Sequence, residues 1–359
     1  MQLRIPGPTP CPDDVLKAVG RQMINHRGKA FAEMTNRIVP RLQECFQTKN
    51  DLVILTTAGT GGLESAVVNM LSPKDKVLGV SIGYFGDRFA DCASIYGAEV
   101  IPLKYAWGQA ANPDDIRKAL KENPAIKAVL VTHNETSTGT TNPLKEIAKV
   151  AKEFDKLILV DAVSSMSSID LPVDAWGLDV VVTGSQKGWM VPPGLAFVSI
   201  SEKAWKAHAE AKMPRFYFDY SRAKKFAADG QTPWTPAVSI YFGLDVALDM
   251  MLKEGLQNIF ARHTRIANKA RAWVKSKGLK LVPEEKFASN TVTAVHAPED
   301  IDETKFRSIL RTEYKVEIAG GQGAMKGKAF RIGHLGFITD KDMDEITVAM
   351  DQALLKAKR

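Results

Sequence analysis

Cysteine is scarce in this chain: Cys11, Cys45 and Cys92 stand far apart among 359 residues, and no Cys-x-x-Cys pair occurs. Such spacing leaves nothing from which to build a disulfide framework, a structural zinc site or an iron–sulfur cluster. The six histidines are dispersed without metal-ligand spacing, so no metal is expected. No apolar run approaches the roughly 20 residues that span a bilayer. The opening Met1-Gln-Leu-Arg-Ile-Pro-Gly-Pro also lacks the charged-then-apolar layout of a secretory signal. A cytoplasmic protein with no membrane partner is the expectation. Compact basic blocks are missing too. The net charge is +7, yet the Lys and Arg residues alternate with apolar positions in helical stretches such as 201–212 and 262–277. Solvated helix faces explain them better than nucleic-acid binding does. A positive field would also suit an anionic cofactor and substrate.

The length exceeds what one hydrophobic core usually serves, which predicts a large and a smaller domain. From about 50 to 200 a short β-branched run, a polar turn and an amphipathic stretch recur. Expected strands are 52–56, 76–80, 99–103, 128–132, 157–161, 180–183 and 196–200. Helical patterns fall near 61–71, 86–96, 113–121 and 143–154. Strands alternating with helices imply an α/β fold with a largely parallel central sheet flanked by helices. Residues 1–20 read as an arm, 21–253 as the large domain and 254–359 as a small C-terminal α+β domain. Residues 201–230 read as charged and irregular. In the C-terminal part, 280–282, 291–295, 316–318 and 330–332 read as strands, with helices at 302–313 and 340–357. In parallel sheets ligands bind beyond the carboxyl ends of strands, and the chemically suggestive residues fall there.

Lys187, in Thr183-Gly-Ser-Gln186-Lys187-Gly-Trp189, directly follows a buried run. Desolvation at such a place lowers an amine's pKa and makes it a nucleophile or base; an isolated lysine here reads instead as a surface residue in a turn. Asp161 ends the apolar run Leu157–Val160, where it could merely cap a turn. Paired with Lys187 it could hold a pyridine nitrogen protonated while the lysine carries the ring. The segment Thr56-Thr-Ala58-Gly59-Thr60-Gly-Gly62 precedes a helix, so it can cradle a phosphate on free N–H groups or serve as an ordinary tight turn. It lacks the Walker ending and is not G-x-G-x-x-G. Arg331, in Ala329-Phe-Arg331-Ile-Gly333-His-Leu-Gly336, reads as an edge-strand residue or as a fork for a carboxylate.

Taken in order, from Pro6-Gly-Pro-Thr9 through His26-Arg27, Glu135–Gly139, Val160–Ser165 and Thr232-Pro-Trp-Thr-Pro236 to Arg331–Gly336, these landmarks resemble the class V family of fold-type-I pyridoxal-phosphate (PLP) aminotransferases. The branch resembled is that of alanine–glyoxylate and serine–glyoxylate or serine–pyruvate aminotransferases. The resemblance implies that Lys187 is the Schiff-base lysine and proton shuttle and that Asp161 pairs with the pyridinium. Phe85 and Val163 would lie against the two ring faces, Phe85 where the family often has a tryptophan. Thr136 would reach the ring hydroxyl region. Ala58, Gly59, Thr60 and Gln186 would hold the phosphate. Thr232, where relatives often have tyrosine, and Thr235 would contribute phosphate contacts from the partner in a homodimer with shared sites. Arg331 would bind the substrate carboxylate, with Gly7 in the pocket wall. His334, Arg27 and Arg88 are further candidates for substrate contact. The implied reaction moves an amino group from alanine or serine to glyoxylate or pyruvate. A phosphonate or phosphorylated amino donor is the alternative within the fold. A cysteine desulfurase is disfavoured because 318–325 holds no cysteine. Some relatives carry a soluble-hydrogenase label, but three scattered cysteines cannot build such a redox centre. A catalytically retired scaffold would have no need of both Lys187 and Asp161.

Overall fold

In the computed structural model, which describes residues 1–358, the alternating runs assemble one large sheet. Its strands are β2 (Asp51–Leu55), β3 (Lys76–Ser81), β4 (Glu99–Lys104), β5 (Ile126–Thr132), β8 (Leu157–Asp161), β9 (Val180–Gly184) and β10 (Ala196–Ile200), in spatial order β2-β10-β9-β8-β5-β3-β4. Only β10 runs against its neighbours. A two-stranded hairpin, β6 (Asn134–Glu135) and β7 (Thr140–Thr141), leaves the end of β5. The central strands are apolar on both faces, as a parallel sheet covered by helices requires. Alternate residues accordingly enter different cores. Leu78, Val80, Val129, Val131, Ile158 and Val160 join one, whereas Val77, Ala128, Leu130, Leu157 and Leu159 join the other.

A second sheet gathers β11 (Val292–His296), β12 (Val316–Gly320) and β13 (Ala329–Gly333), with the helices Glu303–Thr312 and Asp340–Lys356 sharing its core. Its fourth member comes from the other end of the chain. β1 (Gln2–Arg4) pairs in parallel with β12, and Arg4 is buried against Asp342 at 3.0 Å. The opening residues are thus an edge strand of the C-terminal sheet rather than a free arm. Next, Ile5–Thr9 crosses to the large sheet.

Two stretches differ from the sequence reading, and one helix lies where it assigned no element. Lys29–Phe46 is an 18-residue helix that buries Phe31, Ile38, Leu42 and Phe46. Tyr220–Ala227 is helical rather than irregular, capped by Asp219 accepting from Arg222 N. Residues 280–282 make no strand; Leu281 forms one isolated bridge to Val295, and Pro283 removes the next donor.

The crossing of Ile5–Thr9 depends on close backbone approach. A Cβ on Gly333 would sit 2.1 Å from the Ile5 carbonyl oxygen, with backbone on both sides. Gly333→Ala should cost about 3 kcal/mol, the upper end for overpacking. Gly278→Ala, at φ +65 with nothing within 4 Å, should cost only about 1 kcal/mol of backbone strain. Urea denaturation midpoints of the two variants measure the difference.

Candidate active site

Because β5, β8 and β9 are parallel neighbours in register, Thr132, Asp161 and Val182 lie side by side. The segments leaving these strands therefore meet at one edge. There they enclose a cavity of about 300 Å³ whose wall includes Asp161, Gln186 and Lys187. Asp161 is buried; one oxygen accepts from Val163 N at 2.9 Å and the other only distantly from Thr132 Oγ1, at 3.5 Å. Burial pushes its carboxyl above the ordinary range, while the Val163 amide and the charges of Arg88 and Lys187 pull it back. Burial lowers the Lys187 amine to about 8; Asp161 opposes the shift, and Arg331 and Arg88 add to it. Lys187 Nζ donates to the Pro6 carbonyl at 2.5 Å. Gly7 holds φ +129, a backbone conformation that strains any L side chain, and a Cβ there would push on the end of the Lys187 side chain, 2.7 Å from its nitrogen.

A second wall is the start of the helix Gly59–Met70. Ala58 is its extended N-cap and offers no side-chain acceptor, so the first-turn N–H groups are left for another partner. Gly59 and Thr60 line the cavity. A Cβ on Gly59 would meet Val163 at 2.7 Å, so glycine lets this turn close on the residue after Asp161. Beside it the Oε1 of Gln186 is buried without a hydrogen-bond partner.

Phe85 and Arg88, from the helix Tyr84–Ile95, form a third wall with Val163, Ser164, Asn134 and Thr136. Glu135 fixes how that helix enters. Its carboxylate accepts from Phe85 N and Gly86 N at 3.0 and 3.1 Å, and from Ser137 N and Oγ at 3.0 and 2.6 Å. Fully buried, it is a buckle between the hairpin and the helix start.

Arg331 lies behind Thr136 rather than in the cavity wall. Nη1 donates to Thr136 O at 3.0 Å and Gln322 Oε1 at 3.3 Å, and Nε to Gly320 O at 2.9 Å. Its Nη2 makes no bond to any described residue. Thr232 and Thr235 are not brought to this cavity within the chain: Thr232 donates to Trp234 O and Thr235 is exposed. Arg27 is engaged by the carbonyls of Thr232 and Pro233. His334 is buried, bonded through Nε2 to Thr293 Oγ1 at 2.8 Å, and lowered by burial to about 3; it is a neutral packing residue. Of the three open candidates only Arg88 reaches the cavity.

Sequence reading missed the buckling role of Glu135 and the Pro6 carbonyl. Arg88 had a usable signal, since it follows Phe85 by three residues and so shares its helix face. Glu135 had a weaker one, an acid amid Ser and Thr where a buried strand ends.

The sequence profile described as aminotransferase class-V matches residues 6–337. The chain is 43% identical to a protein named as the small subunit of a soluble hydrogenase from Synechococcus sp., over 98% of this chain and 92% of that protein. It is 40% identical to an L-aspartate–glyoxylate aminotransferase of Paracoccus denitrificans, over 94% of this chain and 86% of that one. Among solved structures, an alanine–glyoxylate aminotransferase from Nostoc sp. superposes with a TM-score of 0.94 at 30% identity, covering 98% of this chain and 95% of that one.

The depressed amine gives a prediction with a definite sign. Between about pH 8 and 10.5 the unfolded chain binds a proton at Lys187 that the folded cofactor-free chain has lost, so this group makes stability rise with pH there. In the Lys187→Met variant, denaturant titrations across that range should show a smaller rise. An identical slope in both proteins would mean the amine is solvated.

The seven-stranded, mostly parallel sheet with these residues at its strand ends is the fold-type-I architecture, and the chain belongs to the class-V aminotransferase family.

Proposed function

We propose that the protein transfers the amino group of a small amino acid, alanine or serine, to a 2-oxo acid such as glyoxylate or pyruvate, with Lys187 and Asp161 as its catalytic pair. The observation that carries this reading is a buried amine near pKa 8 and a buried carboxylate facing one cavity of about 300 Å³. The aspartate–glyoxylate and alanine–glyoxylate enzymes to which the chain is similar support glyoxylate as acceptor.

The family's cofactor is pyridoxal phosphate, and the residues present fit it. The free N–H groups from Gly59 onward, with Thr60, suit a dianionic phosphate, and Gln186 lies beside them in the wall. Phe85 and Val163 offer apolar wall for a ring, and Thr136 lies near enough to meet its substituents. Pyridoxal phosphate, when bound, supplies an aldehyde for amines and a protonated ring that draws electrons from the substrate's α-carbon.

The chain's own residues do the rest. Asp161 holds the proton on the ring nitrogen, a task for which its second oxygen is nearly free of other donors. Lys187, with a pKa near working pH, can be a nucleophile when neutral and can move a proton at the substrate's α-carbon. Pro6 O gives its amine a fixed acceptor, and Gly7 leaves room for the side chain. Arg331, anchored by three oxygen acceptors behind Thr136, would offer its remaining Nη2 to the substrate carboxylate.

A homodimer completes the reading. Thr232 and Thr235, remote from their own cavity, would meet the phosphate of a second copy's site, with the exposed Phe216 and Tyr217 beside Trp234 as neighbouring contact surface. Three unpaired thiols are in keeping with the cytoplasm. No described helix is long and apolar enough to cross a membrane. The alternatives are not favoured. Among the described residues Arg88 and Lys187 are the only cations in the cavity wall, too few for an added phosphonate or phosphoryl group, and the cysteines are dispersed.

Purified protein loaded with pyridoxal phosphate tests this. Titration with alanine or serine should bleach the visible cofactor band and release an equimolar 2-oxo acid, and glyoxylate should restore the band. Lys187→Ala should retain cofactor only by noncovalent contacts and lose at least about 10⁴-fold in turnover, as loss of a catalytic base and nucleophile together does. Arg331→Ala should raise KM for carboxylate substrates more than it lowers kcat. Absence of any band after loading would overturn the assignment.

A further inference from the structure

One charge in the cavity wall has no use in this chemistry. Arg88 follows Phe85 by three positions in the helix Tyr84–Ile95, and its guanidinium carbon lies 4.6 Å from the centre of the Phe85 ring. Both side chains border the cavity with Asp161 and Lys187. An arginine so placed ordinarily finds a carboxylate, yet Arg88 forms no salt bridge with any described residue. Its Nε is buried without a partner. The adjacent Asp87 is occupied by Lys104 at 2.9 Å.

Two buried carboxylates are near. Glu135 is saturated by four donors from Phe85, Gly86 and Ser137. Asp161 is not: it has one close donor and one at 3.5 Å, and among the described residues it is the only carboxylate in the cavity wall. The charged groups around this space are Lys187 from the turn after β9, Arg331 from β13, Glu135 from the hairpin and Arg88 itself. The positive charge of Arg88 favours the ionised carboxylate of Asp161 and the neutral amine of Lys187.

We propose that Arg88 is a positioning residue of the cofactor site: its guanidinium braces the Phe85 ring and faces Asp161 with positive charge. Asp161 therefore stays ready to receive a protonated ring nitrogen even while no cation occupies that place. This role rests on the pyridoxal-phosphate reading above. The two parts are separable, because lysine keeps the charge without the flat face that lies on Phe85, whereas methionine keeps apolar bulk without charge.

The test compares wild-type, Arg88→Lys and Arg88→Met holoenzymes. The pH midpoint of the bound cofactor's absorbance change and the cofactor dissociation constant are both measured. Arg88→Met should raise the midpoint by about 0.5–1 pH unit, because a cation beside Lys187 has gone, and should weaken cofactor binding about tenfold. Arg88→Lys should keep the wild-type midpoint while binding cofactor a few-fold more weakly. A methionine variant with wild-type midpoint and affinity overturns the role, as do equal midpoint shifts in both variants. Should the methionine variant melt early, Arg88→Gln repeats the comparison with a polar neutral side chain. A wild-type protein that takes up no pyridoxal phosphate sinks the functional reading and this role with it. A wild type that binds, with variants that match it, sinks this role alone.

Discussion

Removing an amine and a carboxylate from water is the constraint on which this molecule turns. Each ion costs several kcal/mol to bury, and burial drives Lys187 and Asp161 alike toward their neutral forms. The protein does not relieve this by letting them form a direct ion pair. Lys187 is bonded to a backbone carbonyl and Asp161 to a backbone amide, which leaves each with unused capacity toward the space between the walls. A cavity bounded by under-satisfied groups of opposite sign is primed for a ligand with matching ends.

Holding such groups without collapse falls to the backbone. The Lys187 carbonyl accepts from Thr9 Oγ1 at 2.9 Å, and Thr9 N donates to Gln186 O at 3.1 Å. Gly336 closes from the other side, with its missing Cβ only 3.0 Å from that same carbonyl. The Gly336 amide is itself directed by His263, whose Nε2 accepts from it at 3.1 Å. Since Nε2 accepts, Nδ1 carries the proton and donates to Ile259 O. That assignment agrees with burial holding the imidazole neutral, near 3. The turn bearing Lys187 is therefore gripped by the first residues of the chain and by the exit from β13.

Much of this is legible in the amino-acid sequence. All seven strands of the large sheet were visible as β-branched runs, because a covered parallel strand cannot hide its apolarity. Lys187 and Asp161 were visible because strand ends are where such folds put chemistry. What escaped depends on tertiary company. Tyr220–Ala227 carries Arg222, Lys224 and Lys225 and reads as irregular, yet Tyr220 and Ala223 bury one face of it. Pro6 contributes only a carbonyl, a group that every residue has. Glu135 resembles a surface acid until four donors are seen to converge on it. Arg331 reads as an edge-strand residue or as a carboxylate fork, and neither reading shows that three of its bonds go to the protein. Such an anchor cannot be inferred from a strand pattern.

The N-terminal strand links these observations. β1 is hydrogen-bonded to β12, β12 to β13, and β13 carries Arg331. The residues that follow β1 run straight to Pro6 and Gly7 over the Lys187 amine. The strand carrying Arg331 and the strand leading into Pro6 therefore belong to one hydrogen-bonded sheet. Asp161 ends a strand of the other, beside the helix start at Gly59. Gly333, where a single methyl would strike the Ile5 backbone, is where that connection runs backbone against backbone.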